Sequence, residues 1–399
     1  MTDYRQARNM ITTMPVKLKT EKRPVFESAG FILAEDIRAD IEMPRFNKSA
    51  MDGIALRHDD MSHTRSFPVL AEVMAGTVFR EEARPGTCVK IMTGAPVPPF
   101  YDTVIRREYL DGYESGTSVQ ILKEEKKGSN IAWQGEDFRK GDILLEKEAL
   151  ITPFTAGTMA TAGVTNVAVF QRPRVLFFST GDEVYEPEEE LPLSGIRNAN
   201  ASSIMAGLNR KGYPAVYGGI AADTRKALEE AIQRGEAEAD VIVFSGGVSE
   251  GDLDLIPELI KKRGYTTLWH KLNVKPGKPQ LLARKGDTFI MGLPGNPVST
   301  ALSLYLFLFP LLKRLSGHNA LFSRSYLGGV TRETKRLKDR HHFIPVRVAE
   351  ESGTYKLTPI PSNGSGDIRA SALADAFARI PHAGEPYDPG KTEFFFIHE

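Results

Sequence analysis

Two lysines three residues apart sit in Lys275-Pro276-Gly277-Lys278-Pro279, and a second stiff turn, Leu293-Pro294-Gly295-Asn296-Pro297-Val298-Ser299, follows after one short apolar strand. Proline fixes φ and removes a backbone donor, while glycine lets main chain approach a ligand closely, so both loops lose little conformational freedom on binding. Two ammonium groups on so rigid a frame make a cradle for an oxyanion. Proline-glycine pairs also make ordinary turns. Their occurrence together, on the same side of one strand, is what favours a site.

Carboxylates and glycines recur at other strand ends. Ser245-Gly246-Gly247-Val248-Ser249-Glu250-Gly251-Asp252-Leu253-Asp254 can wrap a phosphate in backbone N–H groups while its acids hold a divalent cation. Thr180-Gly181-Asp182-Glu183 and Ala222-Asp223 add carboxylates to the same rim. A carboxylate beside a phosphate is repulsive by about 4 kcal/mol per close pair at an effective dielectric near 20, so this arrangement calls for a metal between them. Mg²⁺ suits one or two carboxylates plus ligand phosphates. Taken alone, Gly246-Gly247 is a tight turn. No nitrogen cluster has zinc spacing, and His341-His342 reads as surface.

Ser49-Ala50-Met51-Asp52-Gly53 and Thr93-Gly94-Ala95-Pro96 read first as polar turns. An exposed Asp52 is also placed to reach a site built by another domain or subunit. Asn363-Gly364-Ser365-Gly366-Asp367 is a turn or an anion nest.

The elements that must position these loops follow a clear grammar. Residues 1–40 carry a helical rhythm that ends in strand-like Phe31-Ile32-Leu33-Ala34. Residues 42–133 hold short β-runs broken by Gly and Pro, which predicts a small all-β domain. From Pro173 onward, apolar strands at Val175 to Ser179, Ala215 to Gly218 and Val241 to Phe244 alternate with helices at Asn200 to Arg210 and Arg225 to Gln233. That alternation predicts a parallel sheet covered on both faces, with ligands beyond the carboxyl ends of its strands. Ala301 to Leu312 reads as a buried helix, since it is too short and too interrupted by Ser303, Tyr305 and Pro310 to span a bilayer. The tail after Gly317 reads as a small β domain.

Composition bounds the partners. A chain of 399 residues is too long for one core. Lys plus Arg and Asp plus Glu number 51 each, so no global field recruits nucleic acid or an anionic membrane, and a small-molecule site is expected. The single cysteine, Cys88, allows neither an internal disulfide nor a thiolate metal cage. With no apolar signal core at the amino terminus, a cytoplasmic location is expected.

Read in order, Pro44-Arg45-Phe46-Asn47-Lys48-Ser49-Ala50-Met51-Asp52-Gly53, Met92-Thr93-Gly94-Ala95-Pro96-Val97-Pro98, Gly135-Glu136-Asp137, Ser179-Thr180-Gly181-Asp182-Glu183, Ser245-Gly246-Gly247-Val248-Ser249, the lysine loop and the Leu293 to Pro297 turn resemble the molybdopterin molybdenumtransferase family, which includes bacterial MoeA and the carboxy-terminal part of gephyrin. Each motif alone is unspecific; seven in order are not.

The resemblance implies a fold of α/β and β domains. A doubly wound MogA-like domain would span residues 171–318, a connector two segments at 1–41 and 134–170, an inserted β domain 42–133, and a small β-barrel 319–399. It implies a homodimer whose active site lies between the doubly wound domain of one subunit and the β domain of the other. The reaction implied is insertion of molybdate into adenylated molybdopterin with release of AMP, giving molybdenum cofactor, and the adenylyltransferase that makes that substrate is a candidate partner. Carried over by position, Lys275, Lys278, Ser299 and Ser365 would hold the oxyanion. Glu183, Asp223 and Asp254 would hold Mg²⁺, and Asp52 with Thr93 would contact pterin or adenylate. Ser245, Gly246, Gly247, Ser249, Pro294, Asn296 and Pro297 would line the substrate site.

Ile54, Ala132, Glu250 and Pro345 depart from the family pattern, the last where an arginine usually serves the oxyanion; Arg347 is the candidate substitute. Two other functions fit parts of the pattern: a molybdopterin adenylyltransferase, suggested by the doubly wound region, and a non-catalytic gephyrin-like scaffold. The domains flanking the doubly wound region argue against the first, and the intact lysine pair against the second.

Overall fold

The structure, a computed structural model, describes residues 1–248 and 255–398. It divides into two compact units, Lys22–Ala168 and Met1–Glu21 with Val169–Glu399.

In the unit formed by Lys22–Ala168, a six-stranded sheet runs in the order Thr103–Arg106, Gly53–Leu56, Cys88–Ile91, Ser66–Val73, Ser118–Ile121, Leu110–Asp111. Both faces are covered: Ile54 and Leu56 join Phe67, Cys88 and Ile105 on one side, and Ala55 joins Val89, Ile91 and Val104 on the other. The segments flanking this sheet in sequence pair with each other, Ile37–Arg38 against Ile143–Leu145, and the helix Pro153–Thr161 follows behind a Thr152 capping box. The β-run grammar predicted most of these strands. It did not predict Gly53–Leu56, a central strand with all four residues buried.

Gly53 opens that strand, paired with both Ile91 and Arg106. A Cβ there would sit 1.9 Å from the backbone oxygen of Ile105, which cannot swing aside as a side chain would. We therefore expect Gly53→Ala to cost more than about 3 kcal/mol, measured by urea unfolding. A loss below 1 kcal/mol would mean the two strands can separate here without penalty.

The other unit is built on the sheet predicted from Pro173 onward. Its strand order is Ala215–Ala221, Val175–Thr180, Val241–Ser245, Thr288–Leu293, Leu281–Lys285, Thr266–His270. The first four are mutually parallel, and Leu281–Lys285 is antiparallel to both its neighbours. Its central strands Val175–Thr180 and Val241–Ser245 are buried along their whole length and open with apolar runs, as expected where both faces are covered. Val175, Phe177, Val241 and Val243 meet Ile204 and Leu208 of the helix Ala199–Arg210. Leu176, Phe178, Ile242 and Phe244 meet Leu228 and Ile232 of the helix Arg225–Glu238 on the opposite side.

The predicted buried helix is longer than its apolar run, covering Pro297–Leu315 with a π-helical turn at Leu304–Leu308. It packs into the same core as the first of those faces. So do Tyr4, Ala7 and Ile11 of the amino-terminal helix Tyr4–Thr13. The helical rhythm of residues 1–40 therefore yields a helix only as far as Thr13; Met14 is extended, as the following Pro15 requires.

After Gly317 the chain closes a five-stranded barrel. His341–Glu351 pairs with Thr354–Pro359, which leads through Tyr326–Val330, Thr392–Phe396 and Ala376–Ile380 back to His341–Glu351. Val346, Leu357, Ala376, Ala378 and Phe394 fill it. A two-residue strand, Val274–Lys275, joins the barrel sheet in parallel, so the lysine loop is anchored to barrel and doubly wound sheet alike.

Candidate functional site

The strand order reverses between Val175–Thr180 and Val241–Ser245, and the turns beyond their carboxyl ends are where such sheets bind ligands. A cavity of about 380 Å³ lies there, lined among others by Glu183, Asp223, Ser245, Gly246 and Gly247. Gly246 has φ 104°, and a Cβ on it would fall 2.5 Å from Thr180 Oγ1 and 2.8 Å from the Thr180 carbonyl oxygen. Glycine is thus required for the two turns to meet. The Ser245 hydroxyl is already engaged, accepting from Asn200 Nδ2 at 2.7 Å and donating to the Pro294 carbonyl at 3.3 Å. It pins the Pro294 turn to the Ser245 turn.

Glu183 and Asp223 bring oxygen donors to one cavity, and Gly181, lacking a Cβ, leaves room for the Glu183 carboxylate, whose Oε2 lies 2.8 Å from where that atom would stand. This hard, oxygen-only donor set fits Mg²⁺. Ser249, Glu250 and Asp254, placed in the same loop by the sequence, lie outside the described residues.

A second cavity, of about 510 Å³, adjoins the first; Pro279, Pro294, Gly295 and Asn296 line both. Lys275, Lys278, Ser299 and Ser365 all line it. Ser365 comes from the far end of the chain. Its hydroxyl accepts from Asn296 Nδ2 at 2.9 Å, and its carbonyl accepts from the Val298 N–H at 3.1 Å. The lysine loop is braced from beneath by fully buried Gln280, whose Nε2 donates to the Gly277 carbonyl at 2.5 Å. Gly277 itself has φ 100°.

Three further groups on this wall were not anticipated: Lys335, Arg340 and His342. With them the cavity carries four permanent positive charges, and among the described residues no acidic side chain lines it. Arg340 is ion-paired with the adjacent Asp339 at 3.7 Å, which does not line the cavity. Arg347 does not fill the place suggested for it, since its guanidinium pairs with Asp375 at 3.2 Å and it is absent from the lining.

The unit Lys22–Ala168 holds Asp52 and Thr93 together on a wide opening that also takes in Arg106 and Arg107. Asp52 Oδ1 accepts from both the Thr93 N–H and the Thr93 hydroxyl, each at 2.7 Å. These two bonds, the backbone one foremost, hold the carboxyl below its usual range, so it is an anion at neutral pH.

His341 is fully buried and His342 half-buried, which corrects their reading as surface. His341, His382 and Glu385 cluster with their ligand atoms within 4.8 Å of one another. The His341 Nδ1 faces Arg379 Nη1 at 3.2 Å, and a guanidinium only donates, so that nitrogen is an acceptor. Burial pushes the His341 pKa down to about 4, leaving a neutral ring whose one proton is on Nε2, towards Glu385 at 3.6 Å. A nitrogen that carries a proton is not a metal ligand, so this cluster does not fit a metal.

A doubly wound sheet with an acid-rimmed cavity at its switch point, adjoining a cationic cavity beside a β-barrel, defines a multidomain protein of α/β and β parts. Comparison with known proteins gives the family. Residues 2–163 match the MoeA N-terminal region (domain I and II), residues 177–314 a probable molybdopterin binding domain, and residues 328–392 the MoeA C-terminal region (domain IV). The molybdopterin molybdenumtransferase of Haemophilus influenzae is 34% identical over 97% of this chain and 96% of its own length. That of Bacillus subtilis is 32% identical over 94% and 89%. The crystal structure of the molybdopterin biosynthesis MoeA protein from Pyrococcus horikoshii superposes with a TM-score of 0.81 at 27% identity, covering 99% of this chain and all of that one. The chain belongs to the MoeA family of molybdopterin molybdenumtransferases.

Proposed function

We propose that this chain inserts molybdenum from molybdate into adenylated molybdopterin, releasing AMP. The observation that carries the reading is the cationic cavity, lined by no acidic side chain among the described residues, abutting the switch-point cavity. A tetrahedral dianion placed between Lys275 and Lys278 finds its charge neutralised and its oxygens within reach of the Ser299 and Ser365 hydroxyls. The adenylated pterin lies along the neighbouring turns, its phosphates at the Ser245-Gly246-Gly247 turn, whose Gly246 N–H itself donates to the Leu293 carbonyl at 3.1 Å. Side chains here position and neutralise; none needs to act as an acid or base, and orientation of this kind supplies much of a barrier reduction.

Glu183 and Asp223, with Asp254, would hold Mg²⁺, which when bound polarises the phosphoanhydride towards departure of AMP. Further parts of the same proposal are a cytoplasmic homodimer, Asp52 and Thr93 of one copy completing the site of the other, and an adenylyltransferase as the supplier of substrate. The domain division proposed with it is 1–41 with 134–170, 42–133, 171–318 and 319–399.

The test is AMP release from adenylated molybdopterin by the purified chain. Release should depend on molybdate and fall at least about tenfold when divalent cations are chelated, returning with Mg²⁺. Equal release with and without molybdate would refute the transferase reading, and indifference to chelation would refute the metal.

A further inference from the structure

Two residues before Lys275 stands an asparagine bonded at both ends of its amide and at both of its backbone groups to distant parts of the chain. Asn273 Oδ1 accepts from the Tyr4 N–H at 2.6 Å, and its Nδ2 donates to Asp3 Oδ2 at 2.8 Å. The Asn273 N–H donates to the Thr2 carbonyl at 3.1 Å, and its carbonyl accepts from the His341 N–H at 2.8 Å. Only the amide oxygen can meet an N–H, and only the amide nitrogen a carboxylate, so the side chain has one orientation here. One residue thus ties together the Thr2–Tyr4 segment, the strand that carries Lys275 and the barrel strand His341–Glu351.

The far end of the amide tie is firm. Asp3 Oδ1 caps the helix Tyr4–Thr13, accepting from the Arg5 and Gln6 N–H groups at 2.8 and 3.3 Å, and that helix is held in the core through Tyr4, Ala7 and Ile11. One carboxylate therefore serves the helix with one oxygen and Asn273 with the other. Lys275 needs such a frame, because it is exposed and its strand, Val274–Lys275, is two residues long. Lys278 is fixed in another way. Its carbonyl accepts from the N–H of fully buried Leu272 at 3.0 Å, a bond in which the Asn273 amide has no part.

We propose that Asn273 is a positioning residue of the oxyanion site: its amide, held between Asp3 and the Tyr4 N–H, sets where Lys275 stands, while Leu272 sets Lys278. This rests on the reading of the cavity as an oxyanion site. Asn273 does not itself line the cavity, so its effect on an anion passes through Lys275. Misplacing a binding group by about 1 Å can cost up to about a hundredfold. The flexible stem of a lysine absorbs part of such a shift, which leaves about a tenfold effect for loss of the amide.

The test compares AMP release, as kcat/KM for molybdate, in full-length variants whose cooperative thermal unfolding shows them folded. Asn273→Ala should release AMP about tenfold less efficiently. Added to Lys275→Ala it should change the rate by no more than about twofold, and added to Lys278→Ala it should keep most of its effect. A general loosening of the protein would act alike in both backgrounds. Asp3→Asn retains one oxygen for the helix cap and offers no second one to Asn273. It should repeat the pattern, and it decides the matter by the same comparison if Asn273→Ala does not fold. Undiminished release by Asn273→Ala, or an equal further loss in the two lysine backgrounds, overturns the positioning role and leaves the oxyanion reading standing. Undiminished release by Lys275→Ala overturns both.

Discussion

Lys275→Ala is expected to lower molybdate-dependent AMP release by roughly a hundred- to a thousandfold while leaving the protein folded. The magnitude follows from removing one unit charge near 4 Å from one charge of the anion, about 4 kcal/mol per unit-charge pair at an effective dielectric near 20, in line with the loss of a single oxyanion donor elsewhere. The fold is expected to survive because Lys275 is exposed and its strand pairing with His342 is made by backbone atoms. Exposed substitutions of this kind usually move stability by less than about 0.5 kcal/mol. Lys278→Ala should act in the same direction. The two together should cost less than the sum of the singles, because both lysines meet one anion. Turnover and thermal unfolding measured on the same samples decide it: unchanged turnover at unchanged stability would remove Lys275 from the site.

The lysine cradle was legible because its chemistry is local. Proline, glycine and two cations in five residues announce a stiff charged loop whatever surrounds it. The rest of that cavity was not legible, for a topological reason. Lys335, Arg340 and His342 are brought to it where Val274–Lys275 pairs in parallel with the barrel strand His341–Glu351. Pairing between such distant segments leaves no mark on either of them. His341 and His342 looked like surface because adjacent polar rings usually are; His341 is covered instead by residues distant in sequence, packing against the rings of Tyr4 and His382 beside its hydrogen bond with Arg379.

The same contrast runs through the fold. Strands of the doubly wound sheet were readable as apolar runs between helices, since burial on both faces removes the ambiguity of alternation. Gly53–Leu56 is equally buried, but Asp52-Gly53 imitates a hairpin turn and four residues are too few to outweigh it. The glycine there serves close approach to Ile105, a contact invisible in one dimension. Ser365 illustrates a third case: its loop reads as a turn or an anion nest by its own residues, and the family resemblance pointed to the particular site that Asn296 and Val298 anchor it beside.

Mixing two inactive variants tests how the Asp52 turn takes part. Asp52→Ala removes the carboxylate that Thr93 orients with two 2.7 Å bonds, and the proposal expects about a hundredfold loss of AMP release from it. Asp52 is the acceptor in both bonds, so its loss frees an exposed hydroxyl and N–H that water can satisfy, and stability should change little. If the site is shared across a homodimer, a mixed dimer of Asp52→Ala and Lys275→Ala chains pairs an intact lysine loop with an intact aspartate at one of its sites. The other site carries both lesions. Mixed dimers should then regain about one working site out of two, seen as activity appearing when the separately inactive chains are co-expressed with distinct tags and purified through both. Were each site built within one chain, every site in the mixture would hold a lesion, and co-purified dimers would stay as inactive as their parents.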